Sequence, residues 1–158
     1  MINAGDGNNE VHSGAGNDSV TTGSGDDVIR TDGGSDTIDA GNGNNDVHSG
    51  RGNDQVTTGS GNDEIRAGSG NDVVRAGEGA DQLHGGPGRD ILLGEAGDDR
   101  LRGDAGRDLL IGGLGSDDLR GGQGDDLLIG GFTTHDSNNL ALAAILASGA
   151  ATGPIRLE

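Results

Sequence analysis

The sequence predicts an all-β fold: a right-handed parallel β-roll, a two-sheet solenoid with 18 residues per coil and about seven coils, closed by a short C-terminal capping helix. Three observations predict the roll. From Ala4 to Ile129 the chain divides into fourteen consecutive nonapeptides without insertion or deletion. The fourth place of every unit is Gly and the eighth is Val, Ile or Leu. The sixth is Asp in all units except the first and fifth, which carry Asn9 and Asn45. Residues 4–129 therefore form the roll, and residues 130–158 a C-terminal cap with a helix near 138–147 and a tail.

Each unit divides into a turn and a strand. Places one to six, as in Thr58 to Asp63, are turn chemistry, with glycines that accept left-handed backbone. Places seven to nine, as in Glu64-Ile65-Arg66, alternate polar–apolar–polar, the mark of a very short strand with its middle side chain inward. Two units close one coil, so odd and even units supply opposite sheets, and coils stack about 4.8 Å apart. The inward column is β-branched from Val11 to Val74 and Leu from Leu83 to Leu128. After Phe132 the repeat stops. Asp136 to Asn139 can cap a helix through Leu140 to Ala147, and Phe132 is expected to plug the end of the roll.

Composition says what such a chain lacks. Hydrophobic residues are 29% and aromatics 1%, too few for a thick core, and the formal charge is −17. By these figures alone the chain should be disordered, so a further ingredient is required. There is no Cys for disulfides or thiolate sites, and no Lys, so every one of the ten basic residues is Arg. The acidity argues against phosphate-mediated nucleic-acid binding. No apolar run is long enough for a membrane span, and no N-terminal signal peptide is expected.

The place-six side chains supply the candidate site. Odd units line one sheet edge with Asn9, Asp27, Asn45, Asp63, Asp81, Asp99 and Asp117. Even units line the other with Asp18, Asp36, Asp54, Asp72, Asp90, Asp108 and Asp126. Anions about 4.8 Å apart repel by about 3–4 kcal/mol at an effective dielectric of 20. A hard cation that accepts carboxylate and turn-carbonyl oxygens reverses that sign. Calcium suits flexible sites of six to eight oxygens, whereas magnesium prefers rigid octahedra and zinc prefers His or Cys. Several Ca2+ ions are therefore expected, with weaker sites at Asn9 and Asn45.

The units GGPGRDILL (85–93), GGLGSDDLR (112–120) and GGQGDDLLI (121–129) resemble the repeats-in-toxin (RTX) nonapeptide family, with its pattern G-G-x-G-x-D-x-U-x. The resemblance covers residues 4–129. It implies a parallel β-roll with calcium between turns, disordered without calcium and folded outside the cell. It also implies a secreted, extracellular or cell-surface bacterial protein, exported by type I secretion machinery through an uncleaved C-terminal signal. Asp32, Glu95 and Asp104 depart from the pattern at its second Gly.

The outward places differ between sheets. On the odd sheet His12, Arg30, His48, Arg66, His84, Arg102 and Arg120 stand beside acidic neighbours such as Glu10 and Asp46. That reads as a solvated face of charge pairs, or as a cationic row for an anionic polysaccharide. The His side chains are too far apart for a shared metal. On the even sheet Ile91/Leu93, Leu109/Ile111 and Leu127/Ile129 are apolar outward, so that face needs a cover; the C-terminal helix is the expected one, another chain the alternative.

The expected function is a calcium-binding, calcium-folded module, with a parent-protein domain as a further partner. The alternative is a surface-binding or adhesin-like module that uses a flat sheet face for polysaccharide or ice. No enzyme is expected: the carboxylates are equivalent by repetition, while acid–base catalysis needs two in different environments.

Overall fold

A computed structural model describes residues 1–131 of the chain. Strands are numbered along the sequence. The seven even units, with β1 (Ile2–Gly5) added at one edge, form an eight-stranded sheet that continues with β3 (Ser19–Thr22), β5 (Thr37–Asp39), β7 (Gln55–Thr57), β9 (Val73–Glu78), β11 (Ile91–Ala96), β13 (Leu109–Leu114) and β15 (Leu127–Gly131). The odd units form a seven-stranded sheet of β2 (Glu10–His12), β4 (Val28–Arg30), β6 (Asp46–Arg51), β8 (Glu64–Ser69), β10 (Gln82–Gly88), β12 (Arg100–Gly106) and β14 (Asp118–Gln123). Every pairing is parallel, and partners lie 18 residues apart, as in Leu83↔Leu101 and Leu92↔Leu110. This is the two-sheet parallel solenoid that the period predicts. The expected capping helix near 138–147 and the expected plug, Phe132, lie outside the described residues.

The structure adds three features to the sequence reading. Strand β1 begins before the first nonapeptide, and Ile2 pairs with Val20 as an extra inward residue. Strands β2, β4, β5 and β7 have the expected three residues, but β8 to β14 run for six or seven. In those later coils the ladder continues through places two to four, as in Gly86↔Asp104, Pro87↔Ala105 and Gly88↔Gly106. The core is also wider than one column. Ala40, Thr31, Ser49, Ala67 and Ala76, all at place one, are as fully buried as Ile29 or Leu92.

Stacking at this distance constrains the turns. Gly106, at place four, has φ +146°, and a Cβ on it would fall 1.4 Å from the Gly88 carbonyl oxygen of the preceding coil. No other residue fits. At place two, by contrast, Asp32, Glu95 and Asp104 accept left-handed φ of 61°, 75° and 78°. The cost is on the order of 1–2 kcal/mol each. Glu95 recovers part of it in an ion pair with Arg75, 3.0 Å away, and Asp104 in one with Arg102.

The outer faces differ as expected. On the eight-stranded sheet Ile91, Leu93, Leu109, Ile111 and Leu127 form a second buried apolar cluster, 0–5% exposed. On the seven-stranded sheet charge pairs dominate, including His48–Asp46 at 3.1 Å, Arg120–Asp118 at 2.8 Å and Arg66–Glu64. Such half-exposed pairs contribute little each.

Candidate metal centre

The stacked turns bring the place-six side chains into the two expected rows and wire them together. In each row the backbone N–H of one member donates to Oδ1 of the member 18 residues on, at 2.8–3.1 Å. One row runs Asp18, Asp36, Asp54, Asp72, Asp90, Asp108, Asp126. The other runs Asn9, Asp27, Asn45, Asp63, Asp81, Asp99, Asp117. The carboxylates are thus fixed by the fold before any ligand is considered.

From Asp27 to Asp117 only one oxygen of each place-six carboxylate is satisfied. Oδ2 has no hydrogen-bond partner in Asp18, Asp27, Asp36, Asp54, Asp63, Asp72, Asp81, Asp90, Asp99, Asp108 and Asp117. Nine of these residues, Asp18 and Asp117 excepted, are no more than 2% exposed. A buried anionic oxygen without a donor costs several kcal/mol, so a whole row of them calls for a cation or a proton.

The two asparagines show what that oxygen faces. Asn9 Nδ2 donates to the carbonyl oxygens of Gly5 (2.9 Å) and Gly7 (2.6 Å). Asn45 Nδ2 donates to those of Gly41 (3.4 Å) and Gly43 (3.1 Å). These are places two and four of the same turn. By the repeat, an aspartate presents an oxygen, not a donor, to the same pair of carbonyls. Oxygen then faces oxygen from several sides.

Glycine at place one opens a further wall. A Cβ on Gly94 would stand 2.2 Å from Asp99 Oδ2 and 2.6 Å from the Gly112 carbonyl oxygen of the next coil. On Gly103 it would stand 2.4 Å from Asp108 Oδ2 and 2.6 Å from the Gly121 carbonyl oxygen. This oxygen-only donor set, one carboxylate among backbone carbonyls, fits a calcium ion with its six to eight oxygen ligands. Among the described residues no three His, Cys, Asp or Glu side chains converge as a metal cluster, so a site of the kind zinc takes is not formed.

Burial acts on the same carboxyls. It raises Asp72, Asp99 and Asp108 to about 6, Asp81 to about 7 and Asp90 to about 8, and the carboxylates of neighbouring coils push in the same direction. Asp54 and Asp63 are raised by burial too, against hydrogen bonds that favour the charged form.

Two layers of wiring escaped the sequence reading. Place-five side chains accept from the backbone of the next coil: Asn44 Oδ1 takes the Asn62 N–H at 2.8 Å, and Asn71 Oδ1 takes the Arg89 N–H at 2.9 Å. Place-one hydroxyls donate the other way, forward to the next coil, Thr31 to the Ser49 carbonyl at 2.9 Å and Ser49 to the Ala67 carbonyl at 2.8 Å. The signal for both was the recurrence of Asn and Ser/Thr at 18-residue spacing.

A family model for the RTX calcium-binding nonapeptide repeat matches residues 1–29, 21–56, 57–92, 84–119 and 93–128. The chain belongs to this family. No curated protein gives a match. RTX repeats are structural rather than catalytic, and this chain is a calcium-binding module of that kind. Among the described residues of the RTX roll, no helix is long and apolar enough to cross a membrane.

Proposed function

We propose that the roll is a calcium-folded module of a secreted bacterial protein, extended at low calcium and folded outside the cell. The observation that carries this reading is the row of buried Oδ2 atoms without donors, in a chain of net charge −17 that has no Lys to neutralise them. The place-six aspartates and the turn carbonyls are the ligands. Sites at Asn9 and Asn45 are weak, because their amides already donate to those carbonyls. Bound calcium supplies the positive charge that holds carboxylate and carbonyl oxygens together. The chain does the rest: it fixes Oδ1 by a backbone N–H, aims Oδ2 into the turn and excludes water from it.

Because ions bind the roll and not the coil, binding free energy becomes folding free energy, and adjacent sites act together. Extracellular calcium modules bind at roughly 10⁻⁴–10⁻³ M, a range suited to a switch between cytosol and exterior. Export by type I secretion machinery through the C-terminal tail fits this order of events. Circular dichroism of the full chain in chelator and in calcium tests the reading. At pH 8 the expected result is a β signal only with calcium; the same spectrum in both would overturn it.

A second reading is a polysaccharide-binding face. A depression on the seven-stranded sheet is lined by His84, Arg100, Arg102 and Arg120, but Asp118 also lines it and pairs with Arg120. Retention on an immobilised acidic polysaccharide, lost in Arg100→Ser, would support it.

A further inference from the structure

Place one divides the RTX roll into two stretches. Units one to nine carry Ala, Ser or Thr there, from Ala4 to Ala76, and units ten to fourteen carry Gly85, Gly94, Gly103, Gly112 and Gly121. The position matters because its side chain points at the carboxylate of its own turn. A Cβ on Gly85 would stand 2.4 Å from Asp90 Oδ2, and those on Gly94 and Gly103 come equally close to Asp99 and Asp108. At Gly94 and Gly103, Oδ2 and the place-one carbonyl oxygen of the next coil both crowd the position that a Cβ would take. Those are two of the oxygens that one cation would bridge.

In the earlier stretch side chains already occupy that space. The Thr22, Ser49 and Thr58 hydroxyls donate to the carbonyls of Ala40, Ala67 and Ala76 at 2.8, 2.8 and 2.6 Å. One wall of each pocket is therefore taken by a hydroxyl proton. Ala67 and Ala76 bring fully buried methyls to the same place. Both place-six asparagines also fall in this stretch, with amides that donate to the turn carbonyls.

We propose that calcium is taken up tightly only by the glycine stretch, at the pockets of Asp90, Asp99 and Asp108, each roofed by a following glycine unit. Units one to nine then stack on that loaded end, with hydroxyls, amides and methyls on the turn carbonyls and their own donorless Oδ2 atoms left to weaker ions. The place-one residue decides which turns accept an ion. This rests on the calcium reading above and sharpens it.

Isothermal calorimetry with metal counting on the chelator-stripped full chain tests the proposal, with calcium alone as the probe. The expected count is three tight ions per chain. Gly94→Ala should remove one of them and raise the calcium midpoint of folding at least tenfold. In case that variant fails to fold, Ser49→Gly/Thr58→Gly provides the reverse change and should add tight ions without disturbing the glycine stretch. A wild-type count near one ion per place-six aspartate, or a double variant with an unchanged count, would overturn the partition and leave the calcium reading intact. No calcium uptake by the wild type would overturn both.

Discussion

The early coils around Thr31, Ser49 and Thr58 and the late coils around Gly94 and Gly103 follow one backbone path, yet they satisfy it with different chemistry. The early coils use β-branched core residues and place-one hydroxyls that bond the next coil, and four of their strands, β2, β4, β5 and β7, have only three residues. The late coils use longer strands, a leucine column and an apolar outer cluster, and they leave oxygen facing oxygen beside glycine. One nonapeptide geometry therefore accepts two kinds of wall beside its carboxylate, a hydroxyl or methyl in the early coils and bare glycine in the late ones. A single place in the repeat separates the two.

The largest expected effect comes from the spacing of coils. Gly106→Ala drives a methyl to 1.4 Å from the Gly88 carbonyl, whereas at Gly16, in the first coil, nothing lies within 4 Å and only the left-handed φ opposes Ala. Urea unfolding in saturating calcium should show a loss on the order of 3–5 kcal/mol for Gly106→Ala. The loss for Gly16→Ala should be about 1–2 kcal/mol. Equal losses would mean that the close approach of Gly106 to the preceding coil does not limit the side chain there.

Acidity gives the next contrast. Burial sets Asp90 near 8, Asp81 near 7 and Asp72, Asp99 and Asp108 near 6, all above the ordinary 3.8 of the unfolded chain. The native state therefore binds more protons than the unfolded one between those values. Stability of the metal-free roll is fully present below about 3.8 and is lost as pH rises through about 6 to 8. Acidifying chelated protein from pH 9 to pH 5 should raise its β signal by circular dichroism. With calcium present the direction reverses: protons compete for the same oxygens, and the calcium midpoint should rise as pH falls.

Smaller effects belong to the early coils. Thr58→Val leaves the Ala76 carbonyl without its hydroxyl donor and should cost about 1 kcal/mol in thermal melts, with no change in calcium count. Asp32→Gly relieves a left-handed φ of 61° and should stabilise by about 0.5–1 kcal/mol.

Much of this was legible in the sequence, for a physical reason. A strict period makes each side chain's environment a copy of its neighbour's, so Val20, Ile29 and Leu110 could be placed inward and both aspartate rows assigned to their edges. Ile2 was missed although it stands nine residues before Val11, because it lies outside a recognisable turn. The buried place-one column was missed because Thr31 and Ser49 are small and polar, and only stacking shows that they point inward. The site was half legible. Spacing identified the carboxylates, but the unsatisfied Oδ2 and the carbonyls it faces depend on which oxygen accepts the neighbouring N–H, a matter of rotamer and register.

We propose that buried carboxylate oxygens keep the chain unfolded until cations meet them. Small-angle scattering of the full chain at pH 8, stripped by chelator and then titrated with calcium, tests this most directly. The radius of gyration should be about 40 Å without the ion and fall below about 20 Å as calcium is added. A stripped sample that is already compact at that pH would contradict it.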